Sequence, residues 1–339
     1  MKARITWLGV AASLLVALFV TFVILEKIPS GDYLFVPDIA HPVAPLVIVN
    51  GAKKQQGGGA LYFVDVHEIP ASEFDILFRR WLYPHSSKVP ASRILPPGTN
   101  NHQYIQTTLR QMASSRKIAA AVAERELGYP VVMHNNGVLV DAVYGGIPAT
   151  AKIDPADTIV AANGKSTPTL DALHAVTKTL KPGDIVDLTI LRGSRRIHES
   201  VKTVANPQDK SRAFIGLQVE QSATIQLPVG VSIDSEGIGG PSAWLAFTLE
   251  VMRKLGRDVT HGYRVAVTGT ISINGTVGPI GGIKQKVWGV RDAGAQVFLV
   301  PAGENAKTAR KLAGPDLKII PVTSLKQALR ALAALPKLP

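Results

Sequence analysis

The longest run of apolar residues lies close to the N-terminus. Residues 5–25 (ITWLGVAASLLVALFVTFVIL) contain no charged side chain. At about 1.5 Å per residue, a helix over this run just crosses a hydrocarbon core of ~30 Å. Lys2 and Arg4 precede the run, so the positive-inside tendency predicts a cytoplasmic N-terminus. The pattern predicts a single-pass anchor in the cell membrane over residues 1–28, with the bulk of the chain extracellular.

A cleaved signal peptide is the alternative interpretation of the same run. It requires a shorter apolar core and a small-x-small site just beyond it. Glu26-Lys27-Ile28-Pro29 follows instead. The pattern therefore favours an uncleaved anchor.

The next hundred residues alternate short apolar runs with turn residues. Leu46–Val49 and Leu61–Val66 predict strands, because β-branched and aromatic side chains dominate them and Pro and Gly flank them. The polar, Pro-containing stretch 83–101 predicts a loop. A helical pattern over 104–127 follows and ends at Gly128-Tyr129-Pro130. We expect an exported α/β region over residues 29–128.

Residues 129–204 change to short strands and turns around one helix, predicted from Thr167 to Leu180. The stretches GVLVDAVYGGIPATAKIDPADTIVAANGK and LKPGDIVDLTILRG resemble a bacterial PDZ domain, with Pro155-Ala156-Asp157 in place of the usual turn with Gly before Asp. The resemblance implies a β-rich domain that binds an extended peptide as an added strand. A small packing module without a ligand is the alternative.

Composition narrows the chemistry. There is no cysteine among the 339 residues, which excludes disulfides, cysteine metal ligands and cysteine nucleophiles. The formal charge is +12, yet no dense basic run with interleaved aromatics occurs, so a nucleic-acid partner is not predicted. Neither a cofactor nor a metal is predicted. Asn163-Gly164-Lys165-Ser166 only imitates a phosphate-binding loop, because position 159 is Ile where glycine is required.

A serine opens one of the predicted helices. Residues 234–243 (DSEGIGGPSA) end a β-like run and begin a helix that continues to Leu255, with Gly256 as its C-terminal cap. Pro241 suits the first helical turn because its missing N–H has no partner there. Ser242 therefore lies where free N–H groups and the helix dipole favour a developing oxyanion. The alternative is that Ser242 merely caps the helix.

A serine nucleophile needs a base, and the chain offers a histidine and a lysine. His261 lies in a polar turn, which predicts a solvated side chain. In the helix after Gly281-Gly282, helical periodicity places Lys286 on the face of Ile283, Val287 and Val290 and places Lys284 on the face of Trp288 and Arg291. Burial disfavours an ammonium group, so the pKa of Lys286 can fall toward ~7–8. We expect Lys284 to reach solvent; a Lys286 that also reaches solvent is the alternative.

The two motifs together carry a resemblance. GGPSA, followed by VTGTISINGTVGPIGGIKQK with Lys286 44 residues after Ser242, resembles the proteolytic domain of Lon-type proteases over residues 205–339. The resemblance implies a Ser-Lys dyad in which Ser242, within the shared Gly240-Pro241-Ser242, is the nucleophile and Lys286 the general base. It also implies that Thr268 hydrogen-bonds near the lysine and orients it.

Two positions depart from the family pattern. Trp244 stands where the family has glycine, and this ring could narrow the cleft, alter specificity or pack outward. Gly239 stands where ATP-dependent members often have Asp.

The predicted fold class is α+β multidomain, with an N-terminal transmembrane helix, a PDZ-like β-rich domain and a C-terminal Lon-type α/β proteolytic domain. The resemblance implies a membrane-anchored, ATP-independent serine endopeptidase of exported proteins, with the PDZ-like domain binding substrate or regulating access. It also allows a homo-oligomer. The rival interpretation is a catalytically silent, membrane-tethered PDZ scaffold that binds peptides, with Trp244 blocking the cleft.

Overall fold

A computed structural model describes residues 2–54, 58–95, 115–207, 209–234 and 240–338. Long apolar runs and capped amphipathic patterns form its helices. The described helices are α1 (Lys2–Lys27), α2 (Glu73–Leu82), α3 (Ala91–Ile94), α4 (115–126), α5 (Leu170–Thr177), α6 (Trp244–Lys254), α7 (Ile283–Asp292), α8 (Glu304–Leu312) and α9 (Leu325–Ala333).

The strands are short and are grouped into several sheets. In the first half they are β1 (Pro29–Pro37), β2 (His41–Pro42), β3 (Val47–Val49), β4 (Ala60–Phe63), β5 (Val66–Ser72), β6 (Ser87–Pro90), β7 (Val132–Val143), β8 (Thr158–Ala162) and β9 (Lys165–Ser166). In the second half they are β10 (Ile185–Arg192), β11 (Arg195–Lys202), β12 (Val204–Ala205), β13 (Ala213–Phe214), β14 (Leu217–Gln226), β15 (Val231–Ile233), β16 (Arg264–Val267), β17 (Thr270–Ile271), β18 (Val277–Gly278), β19 (Val297–Pro301) and β20 (Lys318–Val322).

The C-terminal part is a three-layer α/β arrangement. Its sheet has the order β2-β4-β16-β19-β20, parallel except at the β2–β4 pair. Side chains alternate across it: Val265 and Val267 of β16 pack into the core that contains α6 and α9, whereas Ala266 packs with α7 and α8. Both faces of the sheet are therefore covered by helices, which explains why its strands read as continuous apolar runs.

The PDZ-like part is a separate sheet of order β11-β10-β8-β7-β14, with β9 paired to β8. Its core includes Leu173 and Val176 of α5. The Asn163-Gly164 dipeptide forms the turn between β8 and β9, with positive φ at both residues. This hairpin is not a phosphate-binding loop, which requires a strand followed by a helix. The predicted helix from Thr167 to Leu180 is shorter in the structure, because Thr169 caps α5 through Ala172 N.

A third sheet, β5-β1-β6, follows α1. It corrects the prediction of a loop over 83–101, since Ser87–Pro90 is a strand and Ala91–Ile94 a helix. The strand forms because it pairs with Asp32–Phe35, more than fifty positions earlier, and Lys88 Nζ lies 2.8 Å from Asp32 Oδ2. The residue types in the strand itself do not indicate that it pairs with β1. Residues 96–101 of the predicted loop lie outside the described residues.

The helix predicted over 104–127 is present over 115–126; residue 127 lies in a turn, and residues 104–114 lie outside the described residues. Gly128 ends it with a φ of 87°. Farther along the chain, Gly256 follows α6 with a φ of 101° and donates its N–H to Arg253 O, which confirms the predicted cap.

The first helix agrees with the apolar run at the N-terminus. The window Val10–Lys27 is long and apolar enough to cross a membrane, and none of it is buried in the protein. A signal sequence has the same properties. The span and its topology stay predictions.

The strand pairing links the predicted domains closely. β4 pairs with β16, and β3 pairs with β15, so the region 29–128 contributes strands to the C-terminal part. β14 pairs with β7 along its whole length, across the predicted boundary at residue 204. The division into 1–28, 29–128, 129–204 and 205–339 stays a prediction, and sheet pairing crosses two of its boundaries.

Candidate active site

Ser242 lies in a 3-10 turn, Pro241–Ala243, at the start of α6. Gly240 precedes the turn with φ 80° and ψ 168°, a conformation that glycine adopts without strain. Pro241 begins the turn, as its missing N–H predicts. The carbonyl of Ser242 accepts hydrogen bonds from Gly269 N (2.7 Å) and Thr268 Oγ1 (3.2 Å). The serine is thereby fixed to the segment that follows β16, and its side chain remains partly exposed.

Lys286 lies on α7, and its side chain extends to Ser242. Its side chain is only 2% exposed, and Nζ donates to Ser242 Oγ at 2.6 Å and to Val64 O at 3.0 Å. The start of α7 is set by Gly282, whose φ is 64°. A Cβ at Gly282 would lie 2.7 Å from Val66 Cγ2, so both conformation and space favour glycine there.

The electrostatics of Lys286 follow from its burial. Desolvation lowers its pKa from 10.5 to about 8, while the negative charges of Asp65 and Glu68 oppose this shift. With a pKa of about 8, roughly a tenth of the molecules carry a neutral amine at pH 7. A general base whose pKa lies near the working pH is the efficient one.

The helical periodicity of α7 is confirmed. Lys286, Val287 and Val290 are buried, Ile283 packs against the same core, and Lys284 is exposed. The opposite face carries Trp288 with the Arg291 guanidinium 4.7 Å from its ring centroid. The two lysines of the motif therefore occupy different environments, and only Lys286 meets the serine.

Thr268 is fully buried and hydrogen-bonds to the residue that Lys286 contacts. Its hydroxyl donates to the Ser242 carbonyl, and its N–H donates to Leu299 O at 3.0 Å. This side chain holds the backbone of the serine, and its expected role in orienting Lys286 stays a prediction. Thr268 reaches the serine because it directly follows β16, where the turn that carries Ser242 packs.

Val64, Asp65 and Glu68 belong to the site but were not predicted. They lie more than two hundred positions before Lys286, in and beside the segment that connects β4 to β5. The parallel pairing of β4 with β16 and the packing of α7 beside Val66 bring them to the lysine. Every residue has a main-chain carbonyl, so no sequence motif could identify that of Val64 as a hydrogen-bond partner of Lys286.

His261 is not part of this site. It precedes β16, whereas Ser242 contacts residues that follow that strand, so the two lie at opposite ends of β16. Its N–H donates to Asp258 Oδ1 in a local turn. The prediction of a solvated ring is met only in part, because the ring is half-buried and its Nδ1 has no hydrogen-bond partner in the described structure.

Comparison with known proteins shows which domain families these residues match. Residues 197–334 match the profile of the Lon protease (S16) C-terminal proteolytic domain, and residues 126–203 match the PDZ domain profile. The chain carries a PDZ domain and a C-terminal Lon-type protease domain. The predicted family resemblance and fold class are confirmed at this level.

Each of the similar proteins matches only part of this chain. Lon protease 2 of Thermus thermophilus is 31% identical over 123 residues, which cover 36% of this chain and 14% of that protein. The Lon protease of Chloroflexus aggregans is 38% identical over 101 residues, covering 28% of this chain and 12% of that protein. The chain thus spans less than a fifth of the length of these relatives.

A solved PDZ domain, from the SdrC-like protein of Listeria innocua, is 23% identical to this chain and covers 26% of this chain and 97% of its own, with a TM-score of 0.24.

Trp244, the departure from the Lon-type pattern, points into the protein. Its side chain is 1% exposed and packs in the large core beside Phe247, with ring centroids 5.2 Å apart. The ring does not pack outward or line an open cleft, because it fills the core under α6; an effect on specificity stays a prediction. Its Nε1 has no hydrogen-bond partner in the described structure. Gly239, the second departure, lies outside the described residues.

Proposed function

We propose that this chain is a membrane-anchored, ATP-independent serine endopeptidase that cleaves exported proteins through a Ser242–Lys286 dyad. The observation that carries the proposal is the 2.6 Å distance between Lys286 Nζ and Ser242 Oγ, with the lysine buried and the serine partly exposed. A nucleophile within hydrogen-bond reach of a base with a lowered pKa is the arrangement that covalent catalysis requires.

The reaction begins with neutral Lys286. Its lone pair takes the proton of the Ser242 hydroxyl as Oγ bonds to the carbonyl carbon of the substrate. The carbonyl of Val64 holds an N–H of the amine, which directs the lone pair toward the serine. The lysine ammonium then gives its proton to the leaving amine as the peptide C–N bond breaks. Water, deprotonated by the neutral lysine, hydrolyses the acyl-enzyme and regenerates both residues.

The negative charge that develops on the substrate carbonyl oxygen needs hydrogen-bond donors to stabilise it. Helix geometry leaves the first N–H groups of the Ser242 helix without intrahelical partners, and among the described residues that of Leu245 is bonded to Gly269 O (3.1 Å). Thr268 acts as a positioning residue, because its hydroxyl fixes the carbonyl of the nucleophile.

ATP independence is supported by the placement of the sole Gly-Lys-Ser sequence. It lies in the β8–β9 hairpin, where its N–H groups cannot form the phosphate cradle at a helix N-terminus. We infer that the chain hydrolyses no ATP to drive cleavage.

The PDZ domain is proposed to receive extended segments of substrate. In the described part of the chain, β14 pairs only with β7, so its other edge is open for an added strand. Gln221 connects β14 to the start of α5, since its Oε1 accepts from Leu170 N (3.1 Å) and its Nε2 donates to Pro168 O (2.9 Å). In chain order β14 is followed by β15 and then by the serine turn.

The anchor is proposed to be α1, with the N-terminus in the cytoplasm. The mass of the mature protein recovered from membranes tests this directly. A chain that retains residues 1–28 supports the anchor, and a chain that starts beyond them indicates a cleaved signal sequence. A homo-oligomer is a further proposal that rests on the Lon resemblance alone.

The decisive experiment is peptide release from an unfolded model protein by the full chain in detergent, without ATP. We expect cleavage by the native protein and by Lys284→Ala, and none by Ser242→Ala or Lys286→Ala. Lys284 is the matched control, because it lies on the same helix two residues away and is exposed. Equal loss in Lys284→Ala would overturn the residue assignment. No cleavage by any form would favour the silent scaffold.

A further inference from the structure

Helix α2 presents a continuous apolar face to solvent. Four of its ten residues are large, apolar and exposed: Trp81 (90%), Leu77 (67%), Leu82 (48%) and Phe78 (41%). Outside α1 and α2, the exposed large apolar side chains of the described chain occur singly, at Ile28, Ile39, Ile48, Val132, Ile185 and Leu338. Clustered exposure of this kind marks a surface that meets an apolar partner.

The hydrogen bonds that hold α2 do not involve its apolar face. Ser72 and Asp75 close a capping box, with Ser72 Oγ accepting from Asp75 N and Asp75 Oδ2 accepting from Ser72 N (2.9 Å). The polar side of α2 faces the protein, where Arg79 Nη1 donates to Ser86 O (3.4 Å). The apolar face of α2 therefore takes no part in these hydrogen bonds and is left exposed.

The position of α2 identifies what covers this face. Glu73 N donates to Ile28 O (2.9 Å), so α2 begins where α1 ends. The ring of Phe74 meets that of Phe22 in α1 edge-on, with centroids 4.4 Å apart, and also contacts Phe78 at 4.6 Å. Phe22 precedes Lys27 by five residues, about 7.5 Å along a helix axis. An interfacial amphipathic helix buries its apolar face about 5–10 Å below the headgroups.

We propose that α2 is a second membrane contact, an interfacial helix whose Leu77–Leu82 face inserts into the headgroup–acyl boundary of the bilayer that α1 spans. This inference rests on the proposed anchoring by α1. Trp81 suits the boundary because an indole combines an apolar ring with a polar N–H. Arg80, exposed beside this face, lies at the level of the headgroups.

The second contact would also orient the protease domain. Residues just after α2 are bound to the catalytic helix α7: Gln285 Nε2 donates to His85 O (3.2 Å) and Ser87 Oγ (2.6 Å), and the His85 ring stacks on Trp288 at 3.8 Å. A single α1 tether leaves the domain free to rotate. Two contacts hold the helix that carries Lys286 at a defined distance from the membrane.

The test uses single-cysteine variants of the full chain, which contains no native cysteine. Leu15→Cys on α1, Leu77→Cys and Trp81→Cys on α2, and the exposed control Lys307→Cys on α8 are spin-labelled and reconstituted into phosphatidylcholine vesicles. Collision with lipid-soluble oxygen and with a water-soluble nickel chelate is measured for each label. We expect the labels at 77 and 81 to be shielded from nickel several-fold relative to 307. Leu77→Cys retains Trp81, so loss of the indole cannot explain a negative result.

The outcomes separate this proposal from the anchor on which it rests. A shielded label at 15 with aqueous labels at 77 and 81 overturns the interfacial helix while leaving α1 in the bilayer. Aqueous labels at all three positions overturn both. Labels at 77 and 81 that are shielded from both nickel and oxygen in vesicles indicate association between copies of the chain instead of lipid contact, and would also overturn the proposal.

Discussion

The Lon-type domain and the PDZ domain differ in whether their key polar groups are buried or exposed. Around Lys286, a charged group has been removed from water, and its pKa falls to about 8. Along β14, the edge away from β7 has no strand partner in the described part of the chain, and we propose that a peptide pairs with it there. The difference shows where chemistry and recognition belong: a base needs desolvation by distant segments, whereas strand addition needs an exposed edge.

The largest effect is expected from Lys286→Met, which removes the buried amine. Methionine has a similar length but no basic group, so we expect the rate of peptide cleavage to fall by roughly a thousandfold or more. Lowering the lysine pKa from 10.5 to about 8 costs the folded state about 3 kcal/mol below pH 8. Removing that penalty, less about 1 kcal/mol for each of the lost bonds to Val64 O and Ser242 Oγ, should raise the free energy of unfolding by on the order of 1 kcal/mol. Denaturant unfolding measures it at pH 7.

The pH dependence gives the control for that variant. Between pH 8 and 10.5 the unfolded native chain holds a proton on Lys286 that the folded chain has lost. The free energy of unfolding of the native protein therefore rises through this window, and the advantage of Lys286→Met should shrink. An advantage that is constant with pH would contradict the lowered pKa.

Thr268→Val should have the next largest effect. It removes the hydroxyl that fixes the Ser242 carbonyl, and the loss of about 1 kcal/mol of positioning corresponds to about fivefold in kcat. The matched control is Thr248→Val, which removes another buried hydroxyl, bonded to Trp244 O at 2.8 Å. Similar losses of kcat in both variants would show that Thr268 acts through stability alone.

Asp65→Asn tests the carboxylates beside the lysine. Asp65 and Glu68 raise the pKa of Lys286, so neutralising one should lower that pKa below about 8. For the native protein, we expect kcat/KM on a short peptide to rise with pH and to level off above about 8. In Asp65→Asn this rise should move to lower pH and increase activity at pH 7 by a few-fold. Asp171→Asn, on the exposed surface of the PDZ domain, should leave the profile unchanged.

The smallest effect is expected at the open edge. Gln221→Ala removes the side chain that holds β14 to the start of α5. We expect KM to rise two- to threefold for a protein substrate and to stay unchanged for a short peptide, because only the longer chain reaches the PDZ domain. Gln218→Ala on the same strand is the control. Equal changes for both substrates would contradict a role of this edge in substrate binding.

Much of the site was accessible from the sequence because it depends on local patterns. The 3.6-residue period separated Lys286 from Lys284, and the Pro241-Ser242 motif marked the start of α6. The loop assigned to 83–101 was wrong over residues 87–94, since its strand exists only through pairing with β1. Thr268 was expected to hydrogen-bond near the lysine, but the sequence did not indicate that its partner is the main-chain carbonyl of Ser242.

The sequence by itself determined which residue types stand at the start of α6 and along α7, because helix caps and helix faces follow from spacing alone. Only the tertiary structure decided that Val64 O holds the lysine, that Asp65 and Glu68 raise its pKa, and that Trp244 fills the core. The physical reason is that these contacts join segments of the chain that meet through the β4–β16 pair, whose partners lie about two hundred residues apart.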